Sequence, residues 1–142
     1  KKRQTVFNMG VKHMRKQKRK CEMSMEGSSR KECRYYHKDA DGVVTRCIVG
    51  GMLTLKAARE LRGNTLPCNS PKVQRVLKAA NIDANDSAFP LGMLFMLCHM
   101  QAEMHDDLPT EPDGSIRMDI FEHRAKEVAK MFRLKYTPPE AT

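Results

Sequence analysis

The stretch CRYYHKDADGVVTRCIVGGML, residues 33–53, determines how the first half of this chain folds. Two short runs of strand-forming residues, 33–37 and 43–49, flank a polar segment that ends in Asp41-Gly42. An Asp-Gly pair supplies the positive φ that hairpin turns require, and the β-branched and aromatic residues around it favour a pleated strand. The pattern therefore predicts a β-hairpin.

A strand register centred on this turn predicts which side chains lie opposite each other. It places Cys33 opposite or nearly opposite Cys47, and Tyr35 opposite Thr45. A further strand over 21–25 would extend the hairpin to a three-stranded antiparallel sheet, which is about the smallest sheet that is stable against a helix.

The hairpin is followed by signals for a short helix. Gly50-Gly51 lets the chain bend, Thr54 can cap a helix over 55–62, and Gly63 would end it. The glycine pair could instead hold an anion at the helix N-terminus, but a close backbone turn is the better interpretation.

Three more helices are expected. Ser70-Pro71 is a strong helix start, with Asn81 as the end, and Pro90 to about His105 is apolar enough to be a central buried helix. Asp119 followed by Glu122 resembles a capping box. The core side of that last helix would be formed by Phe121, Ala125, Val128, Ala129 and Phe132.

These elements predict one α+β domain over residues 1–142. It comprises a basic helix (1–20), a small antiparallel sheet of two or three strands (21–53), a helical half of about four helices (54–134) and a loose tail (135–142). A chain of 142 residues can bury a sizeable core. No run approaches the eighteen apolar residues of a membrane span, and the basic start has no apolar segment behind it, so we expect an unexported protein without a membrane partner.

The formal net charge of +9 comes entirely from the first element. Residues 1–20 contain nine lysines and arginines and no acid, whereas the remaining residues hold 17 basic and 17 acidic side chains. In this helix, apolar Phe7, Val11 and Met14 would face the core. A second, continuous stripe would be formed by Lys12, Arg15, Lys16 and Arg19.

This basic stripe is the candidate binding surface. Like charges at helical spacing repel one another unless an anion neutralises them, which favours contact with a nucleic-acid backbone, DNA or RNA, or with an acidic protein surface. The alternative is an ordinary solvated helix face. The acidic loop 106–117 could also pair with the stripe within the fold.

The residues that could support catalysis or metal binding are scattered. Five cysteines without paired spacing suggest buried thiols in a reducing cytosol. Zinc ligation by Cys21, Cys33, His37 and Cys47 is disfavoured, because no Cys-x2-Cys knuckle is present. A cysteine nucleophile, Cys98 or Cys47 with His37 or His99, is also disfavoured, since Cys98 lies in a helix expected to be buried.

Two further groups admit both a functional and a structural interpretation. His99, Glu103 and Asp106 would share one helix face, which could bind a metal or hold a general base but more often forms a solvent stripe. Tyr35 and Tyr36 would point to opposite faces of their strand, so that one joins the core while the other covers the sheet or stacks on a base. We assign no catalytic residue, no metal and no cofactor.

Several of these segments resemble a family of small tailed-phage proteins of unknown function. The resemblance lies in Cys33-Arg34-Tyr35, the Asp-Gly turn, residues 46–50, Leu97 to Gln101 with His105-Asp106, and 132–134. It covers roughly 5–60 and 94–134, and it departs at Gly51-Met52 and over 64–81. The resemblance implies a phage origin and the cytoplasm of an infected bacterium, and it implies no activity.

Three functions follow as hypotheses. The first is a non-enzymatic accessory protein that binds nucleic acid non-specifically through Lys12, Arg15, Lys16 and Arg19. The second, implied mainly by the phage resemblance, is an inhibitor or modulator docked on a host protein, as in host takeover or counter-defence. The third and least favoured is a metal- or thiol-dependent enzyme.

Overall fold

A computed structural model describes residues 1–24, 31–61, 70–84 and 91–140 of the chain. The helices are α1 (Arg3–Gln17), α2 (Leu55–Glu60), α3 (Pro71–Ala79), α4 (Met93–Gln101) and α5 (Met118–Met131). The strands are β1 (Glu22–Ser24), β2 (Lys31–Cys33), β3 (His37–Lys38) and β4 (Val44–Thr45). A basic N-terminal helix, short antiparallel strands and a helical half confirm the predicted α+β class.

The strands form two separate pairs rather than one three-stranded sheet. In the described residues β1 pairs with β2, and β3 pairs with β4, each in antiparallel fashion. The first pair places Cys33 opposite Glu22, so the expected pairing of Cys33 with Cys47 is wrong.

The second pair also differs from the expected register, because Thr45 faces His37 and not Tyr35. The turn explains the shift. The Asp39 carboxylate accepts the N–H groups of Asp41 and Val43, both at 2.9 Å, and the Asp39 N–H donates to the Val43 carbonyl at 3.0 Å. With Gly42 at a φ of +82°, this polar turn moves the pairing two residues along the first strand.

One hydrophobic core joins the strand region to the helices. Helix α1 contributes Val6, Phe7, Val11 and Met14, and the predicted face of α5 is buried throughout. The methionines expected in the centre of the molecule, Met93, Met96, Met100 and Met104, are at most 3% exposed. Gly10 allows this close packing, because an added Cβ would lie 2.7 Å from the Met100 Cε.

Two predicted helix starts are confirmed by their hydrogen bonds. The Thr54 hydroxyl accepts the Ala57 N–H at 3.1 Å, and the Ser70 hydroxyl accepts the Val73 N–H at 3.2 Å. Asn81, with a φ of +62°, follows the end of α3. The predicted stop at Gly63 lies outside the described residues.

The predicted capping box of α5 is wrong. The helix begins after Arg117, whose side chain makes no capping hydrogen bond. Asp119 lies in the first turn and accepts from the Arg117 guanidinium at 3.1 Å. Glu122 is engaged elsewhere, in a contact with α1.

The expected loose tail is held in place over residues 135–137. The Lys135 N–H donates to the Gln4 Oε1 at 2.8 Å, and the Tyr136 hydroxyl donates to the Glu122 Oε1 at the same distance. The Thr137 carbonyl accepts from Arg15 at 2.7 Å. These contacts place the end of the described chain beside α1.

Candidate nucleic-acid interface

Two of the four predicted binding residues, Lys12 and Lys16, project from α1 into solvent. Both side chains are exposed, and within the described ranges neither ammonium forms a hydrogen bond or an ion pair. Residues four apart on a helix are neighbours about 6 Å from each other. The two lysines therefore form a ridge of concentrated positive charge.

Arg15 points away from this ridge and serves the fold. Its guanidinium binds both carboxylate oxygens of Glu122, at 2.9 Å and 2.7 Å, and lies 5.8 Å from the centre of the Tyr136 ring. The hydrogen bond to Glu122 raises the pKa of Arg15, and the two side chains are 25% and 18% exposed. Because its charge is matched within the protein, Arg15 does not belong to the continuous stripe that was predicted.

Arg19 lies beyond the end of α1, since the helix stops at Gln17 and Lys18 takes a φ of +57°. Its guanidinium donates to the Asp113 carbonyl at 3.0 Å. The pKa of the Asp113 carboxyl is lowered, chiefly by hydrogen bonds from Ser115, with a smaller contribution from the charge of Arg19. The acidic loop thus contacts the end of the basic segment.

Other cations of the first segment bind carbonyl groups of the protein. Arg3 donates to the Leu91 carbonyl at 2.6 Å and to the Phe132 carbonyl, at the end of α5, at 3.4 Å. Lys1 reaches the Ala80 carbonyl after α3 with its side-chain ammonium, at 2.5 Å, and Lys20 reaches the Asp106 carbonyl at 2.8 Å. Cations at helix C-termini are favourable because the last carbonyls there lack helical partners.

Lys16 and Arg19 border a groove of about 360 Å³ between the end of α1 and strand β4, which we call the α1–β4 groove. Exposed Val43, Val44 and Leu55 form its apolar part. None of the lining residues in the described part of the chain is acidic. They are His13, Lys16, Gln17, Arg19, Val43, Val44, Thr45, Arg46 and Leu55.

Hydrogen bonds among its lining residues join the two sides of the α1–β4 groove. The Gln17 amide accepts the Arg46 N–H at 2.9 Å and donates to the Arg46 carbonyl at 2.8 Å, and the His13 Nε2 donates to the same carbonyl at 2.9 Å. Burial is the main cause that lowers the pKa of His13, and the nearby positive charges of Arg46 and Lys16 add to it. A neutral His13 is therefore part of the scaffold.

A smaller hollow, of about 170 Å³, lies along the other side of α1. It is bordered by Lys12, Arg15, Tyr136 and neighbouring residues of α1. Lys12 and Lys16 thus stand on the ridge between the two concave surfaces.

Cys21 is buried in a position that does not suit thiol chemistry, whereas Cys98 is not buried. Burial raises the pKa of Cys21 to about 12, and its thiol donates to the Thr45 carbonyl at 3.2 Å. His105, which is fully buried, accepts the Cys21 N–H at 3.0 Å and donates from Nδ1 to Asp106 at 2.8 Å. Cys98 was expected to be buried and is exposed on α4.

The described residues do not provide a set of metal ligands for either of the two predicted sites. Among them, no three His, Cys, Asp or Glu side chains lie close enough together to hold a metal ion. The His99 Nδ1 lies 3.7 Å from Glu103, but Asp106 turns toward His105 because residues Ala102–Asp106 form a π-helical turn. The predicted shared face of these three residues is therefore wrong.

The glycine pair and the tyrosines have structural roles. A Cβ on Gly50 would overlap the Tyr35 carbonyl oxygen, and one on Gly51 would overlap the His13 ring. Tyr35 and Tyr36 are 8% and 4% exposed, so both belong to the core and neither is available to stack on a base. Residues 34–36 do not form a strand, and strict alternation does not apply there.

Every helix in the described parts of the chain is too short or too polar to cross a membrane. In comparisons with known proteins, no family model, no curated protein and no solved structure matches this chain.

Proposed function

We propose that this protein is a non-enzymatic binding protein that contacts the phosphate backbone of nucleic acid through Lys12, Lys16 and Arg19. The observation that supports it best is the ridge formed by Lys12 and Lys16, two exposed cations that have no partner among the described residues. Arg19 adds a third charge across the groove from β4, weakened by its proximity to Asp113.

The energetic argument concerns the cost of keeping like charges together. Neighbouring lysines at helical spacing destabilise a helix by a few tenths of a kcal/mol. Phosphates neutralise that repulsion, and the release of their counterions adds free energy of binding. Contacts of this kind carry no sequence information, so binding would be non-specific.

The resemblance to tailed-phage proteins indicates where in the cell such a protein would act. An accessory protein of that origin would act in the cytoplasm of an infected bacterium, where both phage and host nucleic acids are available.

A second function, docking on a host protein as an inhibitor or modulator, is favoured by the exposed Val43 and Leu55, each 54% accessible.

Binding of fluorescently labelled DNA, measured by anisotropy between about 50 and 200 mM salt, tests the proposal. Three phosphate contacts predict a slope of log affinity against log salt of about −2.7 for duplex and about −2.1 for a single strand. The double substitution Lys12→Glu/Lys16→Glu should abolish binding, because it replaces the ridge with negative charge.

The matched control is Lys126→Glu/Lys130→Glu, an exposed pair with the same spacing on α5. It changes the net charge equally and should bind like the wild type. An equal loss in both variants would show that only the net charge matters. Unaltered binding by the α1 variant, or no binding at the low-salt end, would refute the proposal.

A further inference from the structure

The α1–β4 groove combines two chemical surfaces that a duplex backbone cannot both use. One side presents the cations Lys16 and Arg19, and the other presents Val43, Val44 and Leu55, which are 54%, 37% and 54% exposed. Single exposed apolar residues are ordinary, but three that border one groove form a patch.

The charge in this groove favours an anion over a neutral ligand. Arg46 donates to the Leu53 and Gly50 carbonyls, at 2.8 Å and 3.4 Å, and so keeps its full positive charge within the wall. Among the described lining residues there is no carboxylate, and a concave wall of one sign focuses the potential at its surface.

A nucleotide whose base is unstacked matches both surfaces. Its phosphate is the anion, and the faces of its base are flat and largely apolar. In a duplex the bases are stacked and paired, so only phosphates and sugars would reach Lys16. In a single strand a base can turn out of the stack and pack against protein side chains.

We propose that the α1–β4 groove holds one unstacked nucleotide of a single-stranded nucleic acid, with its phosphate at Lys16 and Arg19 and its base against Val43, Val44 and Leu55. This inference rests on the proposed nucleic-acid function and specifies its substrate as single strands. Lys12, on the ridge beside the groove, would contact an adjoining phosphate.

The test compares three labelled probes of equal length at 50 mM salt: oligo-dT, an abasic single strand with the same phosphates, and a duplex. Oligo-dT should bind about five- to tenfold more tightly than the abasic strand, because only its bases can bury apolar surface against Val43, Val44 and Leu55; this ratio corresponds to about 1 kcal/mol. The duplex should bind less tightly than oligo-dT.

Two variants separate the base contact from the phosphate contact. Val43→Thr/Leu55→Gln keeps every charge and alters only exposed side chains, so it should reduce oligo-dT affinity to that of the abasic strand. It should leave the affinities for the abasic strand and the duplex unchanged. Lys16→Gln should weaken binding of all three probes.

The outcomes distinguish this inference from the function on which it rests. Equal affinity for oligo-dT and the abasic strand, or a preference for duplex, would overturn the single-strand inference while the backbone contact stands. If none of the three probes binds, the single-strand inference and the proposed nucleic-acid function are both refuted. Docking on a protein partner then becomes the favoured function.

Discussion

Cys21 shows how burial fixes the protonation of an individual group. The Cys21 thiol donates to the Thr45 carbonyl, and its backbone N–H donates to the Nε2 of the fully buried His105. Because a carbonyl can only accept, a thiolate at Cys21 would lose this hydrogen bond and face the carbonyl oxygen with a negative charge. Burial and this contact together make Cys21 a structural residue.

Alkaline pH should therefore destabilise the protein through Cys21. Its pKa is about 12 in the folded state and 9.0 without the fold, so between these values the unfolded chain loses a proton that the folded chain keeps. The free energy of unfolding should fall by about 1 kcal/mol between pH 8 and pH 10 from this group alone. Urea denaturation at the two pH values measures this change.

The control for this prediction is Cys21→Ala, which removes the titrating group. The variant should show a smaller decrease over the same interval, by about the amount assigned to the thiol. An identical pH dependence in both proteins would mean that Cys21 ionises as readily in the folded state as in the unfolded chain.

At the scale of elements, close backbone contacts determine how the hairpin meets the helices. Gly50 opens the short 3-10 turn Gly50–Met52, and its Cα lies against the Tyr35 carbonyl. Gly10 likewise lets α1 pack closely against the side chains of Met52 and Met100. A side chain at Gly50 would meet backbone and separate the two elements, whereas one at Gly10 would first meet the flexible ends of two methionine side chains.

Gly50→Ala should thus be costly, since the new Cβ would overlap backbone that cannot rotate away. Overpacking of this kind costs about 1–3 kcal/mol of unfolding free energy, measured by thermal or urea denaturation. Gly42→Asn is the comparison, because Gly42 has an open surrounding and the cost there comes only from its φ of +82°, which asparagine adopts more readily than most residues; this cost should be the smaller of the two. Equal stability of Gly50→Ala and wild type would contradict the close approach to Tyr35.

For the whole molecule, the distribution of charge is the main result. The positive excess of residues 1–20 is divided between internal contacts and the surface. Arg3 and Arg15 connect α1 to α5, and Lys20 connects the following segment to the loop after α4. Lys12 and Lys16 remain for a partner, so part of the basic segment holds the fold together and part is available for binding.

Substitutions in the Arg15–Glu122 ion pair test whether Arg15 stabilises the fold rather than binding a partner. Arg15→Met should lower the free energy of unfolding by about 1–3 kcal/mol, because it leaves a partly buried carboxylate without its bidentate partner. Lys12→Met, at an exposed position of the same helix, should change it by less than about 0.5 kcal/mol.

A double-mutant cycle with Glu122→Gln isolates the pair. We expect a coupling energy of about 1 kcal/mol, measured by urea denaturation at low salt. Additive effects of the two substitutions would show that Arg15 is an ordinary surface charge, and Arg15 would then return to the candidate binding residues.

The amino-acid sequence by itself determined the local structure. Hydroxyl caps at Thr54 and Ser70, the apolar spacing of α1 and α5, and the Asp-Gly turn act within a few residues, so they could be recognised before the fold was known. The α+β class and the concentration of charge in the first helix followed from the same short-range patterns.

Tertiary structure alone decided which charges are available and which side chains meet. Arg15 and Glu122 are 107 positions apart, and Arg19 and Asp113 are 94 positions apart. Cys98 is exposed although the nearby Met96, Leu97 and Met100 are fully buried. Such outcomes depend on contacts between distant segments, and local spacing carries no information about where those segments come together.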